Sequence, residues 1–352
     1  MQRRAFLAAL LAGASLPGAT WADANNPSFL AAAREGDGGY ALFGLDDRGH
    51  DLFRIALPGR GHAATAHPTA PEAVAFARRP GDFALVIDCM RGTISHRLTT
   101  PKGRHFYGHG AFIAGGRVLV TTENDIASGQ GLLGLWARDD GYARIGEITS
   151  GGIGPHEVLA LPGDVLAVAN GGIRTHPDHG RDKLNLDTMR PNLSYLTAKG
   201  ALLDQVTLPA ALHHASIRHI AWDAGMLAFA MQWQGALPDA VPLLGLHRRG
   251  TPPVLCTAPE AEQLAMQGYA GSVAIAGDTV GITSPRGGRV HLFDRNGAFQ
   301  QSHLRADVCG LAAGTAGLVA TDGLGGILAV RDRLKPLSHA TRAWDNHLVP
   351  VG

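Results

Sequence analysis

Side chains that can bind a metal recur at one position of an internal repeat in this chain of 352 residues. The repeat is clearest at Gly154-Pro155-His156-Glu157-Val158-Leu159-Ala160. In chain order, the residues that align with His156 are Glu72, His109, His156, His219, Gly271, Cys309 and His347. A mixture of imidazole, thiolate and carboxylate groups favours a transition metal over calcium or magnesium. The pattern therefore predicts a metal site with the four histidines as first-choice ligands and with Glu72 and Cys309 as further ligands.

The spacing of these copies predicts the architecture that must position them. Successive copies are 37, 47, 63, 52, 38 and 38 residues apart, which brackets the period of roughly 40–50 residues typical of propeller blades. Most copies begin an apolar strand that is followed by a Gly or Asp turn and by further strands, most plainly at 111–148. A four-stranded blade of this kind cannot bury both faces alone, so the blades must stack around a central axis.

The two ends of the chain are predicted to close the propeller. Strand-like segments at 29–33, 40–46 and 52–57 precede the first copy, whereas only one strand fits between His347 and the end of the chain. One C-terminal strand and three N-terminal strands would complete the seventh blade and leave no long unpaired edge. The prediction is an all-β, seven-bladed β-propeller of four-stranded antiparallel blades, forming a single domain over 23–352.

Residues 1–22 are predicted to be a targeting segment. Arg3-Arg4-Ala5-Phe6-Leu7 resembles a twin-arginine signal, and Thr20-Trp21-Ala22 offers small residues for cleavage. An ordinary secretory signal or a retained anchor stays open. The prediction is folded export to the periplasm without membrane insertion, since no later run approaches the roughly 18 apolar residues that a transmembrane helix needs. The net charge of +1 and the lack of a basic stripe argue against nucleic acid as a partner.

The predicted ligands begin the inner strands, which places them at the mouth of the central channel. Two long insertions, at 170–191 and 232–242, follow second strands and should lie at the same end. Polar residues at the ends of second strands are predicted to contact a substrate or to support the ligands, although Asp and Asn are also common turn residues. These residues are Glu123, Asn124, Asn170, Gln232, Arg286 and Asp322. Glu157 is assigned to the blade interior or to a supporting contact.

Several motifs resemble a known family. They are Arg60-Gly61-His62, residues 72–81, Tyr107-Gly108-His109-Gly110 and Gly154-Pro155-His156-Glu157, behind the twin-arginine leader. Together they resemble the exported bacterial family catalogued as domain of unknown function 1513. The resemblance implies a seven-bladed propeller linked to periplasmic iron or copper handling, with imelysin-like or di-haem cytochrome peroxidase-like proteins as partners. It brings no established reaction.

Two functions from different classes fit this sequence. The first is a periplasmic propeller that binds iron or copper at a histidine-rich site in the channel mouth, for metal acquisition or metal-dependent redox chemistry. If it is an enzyme, an open coordination position would take the substrate, with Glu72 or Glu123 as a proton carrier. The second is a metal-free scaffold that docks neighbouring periplasmic proteins through its loop-rich face. The first hypothesis requires the histidines to bind a metal, whereas the second does not.

Overall fold

The computed structural model describes residues 18–78, 82–180, 182–237 and 239–351. These residues form seven four-stranded antiparallel sheets. Each sheet is one blade, and the first strand of each blade lies beside the first strands of its two neighbours around the central channel. The predicted seven-bladed propeller is therefore confirmed.

The strands, numbered in chain order, fall into blades as follows. The blade that closes the ring contains β1 (Phe29–Glu35), β2 (Tyr40–Leu45) and β3 (Asp51–Leu57), with the C-terminal β28 (Arg342–Pro350) as its inner strand. The next three blades contain β4 (Gly61–Ala66), β5 (Glu72–Ala77), β6 (Ala84–Asp88) and β7 (Thr93–Leu98); β8 (Arg104–Ile113), β9 (Val118–Asp125), β10 (Gly131–Ala137) and β11 (Ala143–Thr149); and β12 (Pro155–Leu161), β13 (Val165–Asn170), β14 (Asn192–Leu196) and β15 (Leu202–Thr207). The last three contain β16 (Ala215–Asp223), β17 (Met226–Trp233), β18 (Leu244–His247) and β19 (Val254–Cys256); β20 (Ser272–Ala276), β21 (Thr279–Ser284), β22 (Arg289–Asp294) and β23 (Phe299–Leu304); and β24 (Val308–Gly314), β25 (Gly317–Asp322), β26 (Gly326–Val330) and β27 (Leu334–His339).

Helical segments are few and short in the described residues. One α-helix spans Glu260–Ala265 and leads into the blade that begins with β20. The single-turn 3₁₀ segments are Trp21–Ala24, Ala114–Gly116, Arg138–Asp140, Pro177–His179, Leu186–Thr188 and Ala210–Leu212. No helix in the described ranges is long and apolar enough to cross a membrane.

The burial of each strand follows from its place in the blade. Second strands such as β5 and β13 read as continuous apolar runs because both of their faces pack against neighbouring blades. Outer strands such as β7 and β11 are largely exposed and polar, because at least one of their faces meets solvent. The core is thus a set of apolar layers between adjacent blades.

The closure predicted from the sequence is observed, and β28 pairs with β1 in the sheet that joins the two ends of the chain. Residues 1–17 of the predicted leader lie outside the described residues. Trp21, near its end, is buried, and its indole N–H donates a hydrogen bond to the His67 carbonyl at 2.8 Å. Cleavage after Ala22 would remove this contact, and the leader remains a prediction.

Candidate metal centre

The inner strands carry the features that aim side chains into the channel. Six of the seven are interrupted by an irregularity in their pairing, which is the signature of a β-bulge. The interruptions fall between Gly61 and Ala64, Phe106 and Gly110, Pro155 and Glu157, Ile217 and His219, Val308 and Leu311, and Trp344 and Leu348. A bulge bends a strand and redirects the side chain at that point. The seventh inner strand, β20, pairs regularly and supplies no histidine.

Five histidines from five blades converge at these bulges. They are His62, His109, His156, His219 and His347. The centroids of neighbouring rings lie 4.6 to 5.9 Å apart. We call this set the channel histidines; it contains all four histidines that the repeat predicted, together with His62.

The ring nitrogens of the channel histidines form two overlapping groups. One nitrogen from each of His62, His109 and His347 lies within 4.8 Å of the other two, and the same holds for His109, His156 and His219. His109 belongs to both groups. Within the described part of the chain, His62 Nδ1, His156 Nδ1 and His347 Nε2 are buried without a hydrogen-bond partner. A buried polar atom without a partner is costly, and a metal ion would satisfy these lone pairs.

Burial keeps the channel histidines neutral. Loss of hydration lowers the pKa values of His62, His109 and His156 well below 6.5, and it lowers those of His219 and His347 to about 3. Repulsion from neighbouring imidazolium groups further lowers the pKa values of His62, His109, His156 and His347. At His219 the further lowering of the pKa comes from the positive charge of Arg218. Neutral imidazole is the form that binds a metal, so these residues are ready to act as ligands near pH 7.

Among the described residues, Glu157 is the one carboxylate that contacts the channel histidines. Its Oε2 lies 3.3 Å from His219 Nδ1 and accepts a hydrogen bond from the Ile220 N–H at 2.9 Å, and its Oε1 lies 3.7 Å from His109 Nδ1. Burial raises the pKa of Glu157 to about 7. A carboxylate in this place can orient the two imidazoles, as carboxylates commonly do for histidine ligands.

His62 is the ligand candidate that the repeat missed, and Glu72 was aligned in its place. The inner strand of that blade is β4, which carries His62, whereas Glu72 begins the second strand. Glu72 accepts hydrogen bonds from Arg138 Nε at 2.9 Å and from the Tyr142 hydroxyl, and it is not part of either histidine group. A usable signal was present, because His62 and His109 are 47 residues apart, as are His109 and His156.

Cys309 lies on an inner strand, but its side chain faces away from the channel histidines. The thiol contacts the carbonyl oxygens of Asp345 at 3.3 Å and Trp344 at 3.6 Å, inside the core layer between two blades. Burial raises its pKa to about 12, so it remains a protonated thiol. Cys309 therefore belongs to the packing of the blades in this structure, and Cys89 and Cys256 are likewise buried and unpaired.

The six polar residues predicted around the mouth divide into two sets. Gln232 and Arg286 line the cavity at the mouth of the channel. The other four are buried between or within blades, where their partners are protein groups. Asn124 lies near the Thr175 carbonyl, Asn170 donates to the Ser150 carbonyl and to Asn192 Oδ1, Asp322 pairs with Arg305, and Glu123 pairs with Arg144.

Glu123 is completely buried, and its partners hold it in place. Arg144 donates to its two carboxylate oxygens at 2.8 and 3.0 Å, and the Thr121 hydroxyl donates at 2.7 Å. A Cβ on Gly134 would lie 2.0 Å from Glu123 Oε1, so only glycine leaves room for this carboxylate. The pair fixes the second strand of a histidine-bearing blade, and it does not reach the channel mouth.

Replacing Arg144 with alanine is expected to reduce the free energy of unfolding by about 3–5 kcal/mol, because it leaves a buried carboxylate without its cation. Urea denaturation measures the change. The double variant Arg144→Ala, Glu123→Gln should recover much of the loss. As a control, Arg91→Ala breaks an exposed ion pair with Asp88 and should cost less than about 1 kcal/mol. Equal effects at the two arginines would contradict the argument.

The channel histidines separate two cavities along the axis. The cavity at the mouth has a volume of about 630 Å³ and includes His62, His156 and His219 in its lining. The cavity on the opposite side has a volume of about 490 Å³ and includes His109, His219, His347 and Glu157. Residues of the 170–191 insertion, Ile173, Thr175 and Lys183, line the mouth cavity, so the inserted loop lies over the histidines as its position in the blade predicted.

Comparison with known proteins identifies a family and similar folds, and it assigns no reaction. Residues 55–351 match the family model described as protein of unknown function (DUF1513). No functionally curated protein matches the chain. A chain of hydrazine synthase from Kuenenia stuttgartiensis is similar at 11% identity and a TM-score of 0.60, covering 83% of this chain and 89% of that one. A chain of a mitotic checkpoint complex is similar at 11% identity and a TM-score of 0.56, covering 80% and 78%. These likenesses concern the propeller fold alone.

Proposed function

The chain belongs to the DUF1513 family, and we propose that it is a transition-metal-binding β-propeller whose channel histidines hold iron or copper. The observation that carries the proposal is the convergence of five imidazoles from five separate blades in the channel, as two groups of three that share His109. A lone buried histidine is commonly structural. Five of them at strand bulges, with three ring nitrogens left without partners, are expensive to maintain unless they bind something.

The chemistry of the donors fits a transition metal. Imidazole suits iron, copper and zinc. A calcium or magnesium site would use several oxygen ligands, whereas Glu157 is the single carboxylate in contact with the histidines in the part of the chain that the structure describes. The rings are neutral, so metal binding does not have to displace protons from them near pH 7. Bound iron or copper would supply redox or Lewis-acid chemistry in the channel.

The cellular setting is part of the proposal. Arg3-Arg4 and the apolar run after it support export by the twin-arginine pathway to the periplasm. There the protein would serve metal acquisition or metal-dependent redox chemistry, with imelysin-like or cytochrome peroxidase-like proteins as partners. The same pathway exports folded proteins, which would allow the metal to be loaded before export.

Elemental analysis of the purified protein tests the metal site. Wild-type protein is expected to carry close to stoichiometric iron or copper, or to take it up when Fe(II), Cu(I) or Cu(II) is added. The double variant His109→Ala, His156→Ala removes a shared histidine and one further member of a group, and it should carry none.

Both proteins should show the same circular dichroism spectrum, because the histidines are not part of the apolar layers between blades. Wild-type protein that binds none of the added metals would defeat the proposal and would leave the loop-rich face as a docking surface for other proteins.

A further inference from the structure

Positively charged side chains surround the mouth cavity above the channel histidines. Five cationic residues line it, and they come from several blades and from the inserted loop. They are Arg60, Arg78, Lys183, Arg218 and Arg286. Asp307 is the acidic residue in the described lining of this cavity, and burial and the neighbouring Asp322 raise its pKa. The cavity thus has a clear excess of positive charge in a chain whose net charge is only +1.

Two of the five cations are balanced from within the protein. Asp345 is buried, and its two oxygens accept hydrogen bonds from Arg60 Nε at 2.6 Å and Arg78 Nη1 at 2.9 Å. The carboxylate therefore holds both arginines in place and offsets part of their charge. Lys183, Arg218 and Arg286 line the same cavity, and Arg218 has a further interaction of its own within the protein.

Lys183 and Arg286 form no ion pair with a carboxylate in the described ranges. Lys183 lies close enough to both arginines to be repelled by them, because burial first, and then Arg218 and Arg286, lower the pKa of Lys183. The Arg286 guanidinium is 4.5 Å from the centre of the Tyr269 ring, which fixes it against the cavity wall. Like charges held together in this way lower the stability of the free protein, and an anion that binds between them recovers that energy.

We propose that the mouth cavity binds a small multivalent oxyanion, carrying carboxylate or phosphate groups, through Lys183, Arg218 and Arg286. Guanidinium groups bind such anions through paired hydrogen bonds, and lysine adds a point charge. The cavity volume of about 630 Å³ is within the range of small-molecule sites. His62, His156 and His219 also line this cavity, so the bound anion would face the metal of the proposed function. Only that last contact rests on the proposed function, because the recognition of charge does not need the metal.

Isothermal titration of the full-length protein with citrate, inorganic phosphate and chloride, at constant ionic strength, tests this site in the metal-free and metal-loaded states. Citrate or phosphate is expected to bind at least tenfold more tightly than chloride. The double variant Lys183→Gln, Arg286→Gln is expected to weaken that binding at least tenfold and to keep the wild-type metal content. Tighter binding of citrate would identify organic carboxylates as the ligand class, and tighter binding of phosphate would identify phosphate groups.

A matched control removes two lysines at the opposite end of the propeller. Lys199 lies in the turn between β14 and β15, and Lys335 is at the start of β27; both are exposed. Lys199→Gln, Lys335→Gln changes the net charge by the same amount and should leave anion binding unchanged. Equal weakening in the two double variants, or wild-type binding no tighter than for chloride, would overturn the inference. Loss of anion binding with normal metal content would leave the metal proposal standing.

Discussion

Replacement of His109 alone by alanine is expected to weaken metal binding by more than about 100-fold. His109 is the one histidine that belongs to both groups of ring nitrogens, so no arrangement of a metal within either group avoids it. Residues that merely support a ligand typically contribute about 10–100-fold to metal affinity, and a direct ligand should contribute more. Competition titration with a chromophoric chelator measures the affinity, and the folded state can be checked by thermal unfolding.

Cys309→Ala is the matched control for this prediction. The repeat places Cys309 at the same position as His109, but its thiol faces the core between blades. Its replacement should leave metal affinity unchanged while lowering stability modestly. If Cys309→Ala abolished metal binding and His109→Ala did not, the ligand set described above would be wrong.

Single replacements of His62 and His156 then locate the metal within the channel. His62 belongs to the group with His347, and His156 belongs to the group with His219. A large loss of affinity in only one of the two variants would assign a single metal to that group. Large losses in both would indicate a site that spans the two groups, with His109 as its centre.

The fold was predictable because the repeat is expressed in properties that any blade must have. Strands that pack on both faces must be apolar throughout, and the turns between them need Gly or Asp. The closure followed from counting strands at the two ends of the chain, and the pairing of β28 with β1 agrees with it. The four histidines of the repeat were located for the same reason, since each lies on an inner strand.

The errors in the predicted site have a physical cause. In the blade of His62, the first strand, β4, contains His62 and Thr65 and is less apolar than the second strand, β5, so hydrophobic pattern alone does not identify β4 as the inner strand. That ambiguity placed Glu72 in the ring. Cys309 lies on the predicted inner strand, but its side chain faces the core and not the channel. A bulge changes which side of the strand a given position faces. Sequence spacing predicts the strand, and the bulge decides the direction of the side chain.

Glu123, Asn170 and Asp322 show a similar limit. Each stands near the end of a second strand, where turn residues that face the mouth are expected. A second strand is covered by blades on both sides, so a polar side chain there is drawn into an ion pair or a hydrogen-bond network. The side-chain partners Arg144, Arg305 and Asn192 come from other strands or loops, and no local pattern in the sequence predicts them. Asp322 also accepts hydrogen bonds from the Leu324 and Gly326 N–H groups of its own turn, which agrees with the alternative of a turn residue.

The second large effect concerns pH. The metal-free protein is expected to lose stability steeply as the pH falls from about 6.5 toward 3. In the unfolded chain the channel histidines regain a pKa near 6.5, whereas in the folded protein burial holds the pKa values of His219 and His347 at about 3 and the others well below 6.5. Within this window the unfolded state binds protons that the folded state does not, so acid favours unfolding.

Glu157 acts in the opposite direction. Its pKa rises from 4.5 to about 7 on folding, so its contribution to stability is present below about 4.5 and is lost as the pH rises through about 7. One carboxyl group opposes five histidines, and the net slope therefore keeps the sign set by the histidines. Each histidine that stays neutral contributes about 1.4 kcal/mol per pH unit within the window.

Urea denaturation of chelator-treated protein between pH 4.5 and 7 measures this slope. His347→Gln removes one of the buried imidazoles and should lower the slope by up to about 1.4 kcal/mol per pH unit. His339→Gln removes an exposed histidine on β27 and should leave the slope as in the wild type. A stability that does not change with pH across this window would mean that the five imidazoles are not buried together as described.

Bound metal adds its binding free energy to the folded state. The metal-loaded protein should therefore be more stable than the metal-free protein near neutral pH, where the histidines are largely unprotonated in the folded and the unfolded chain.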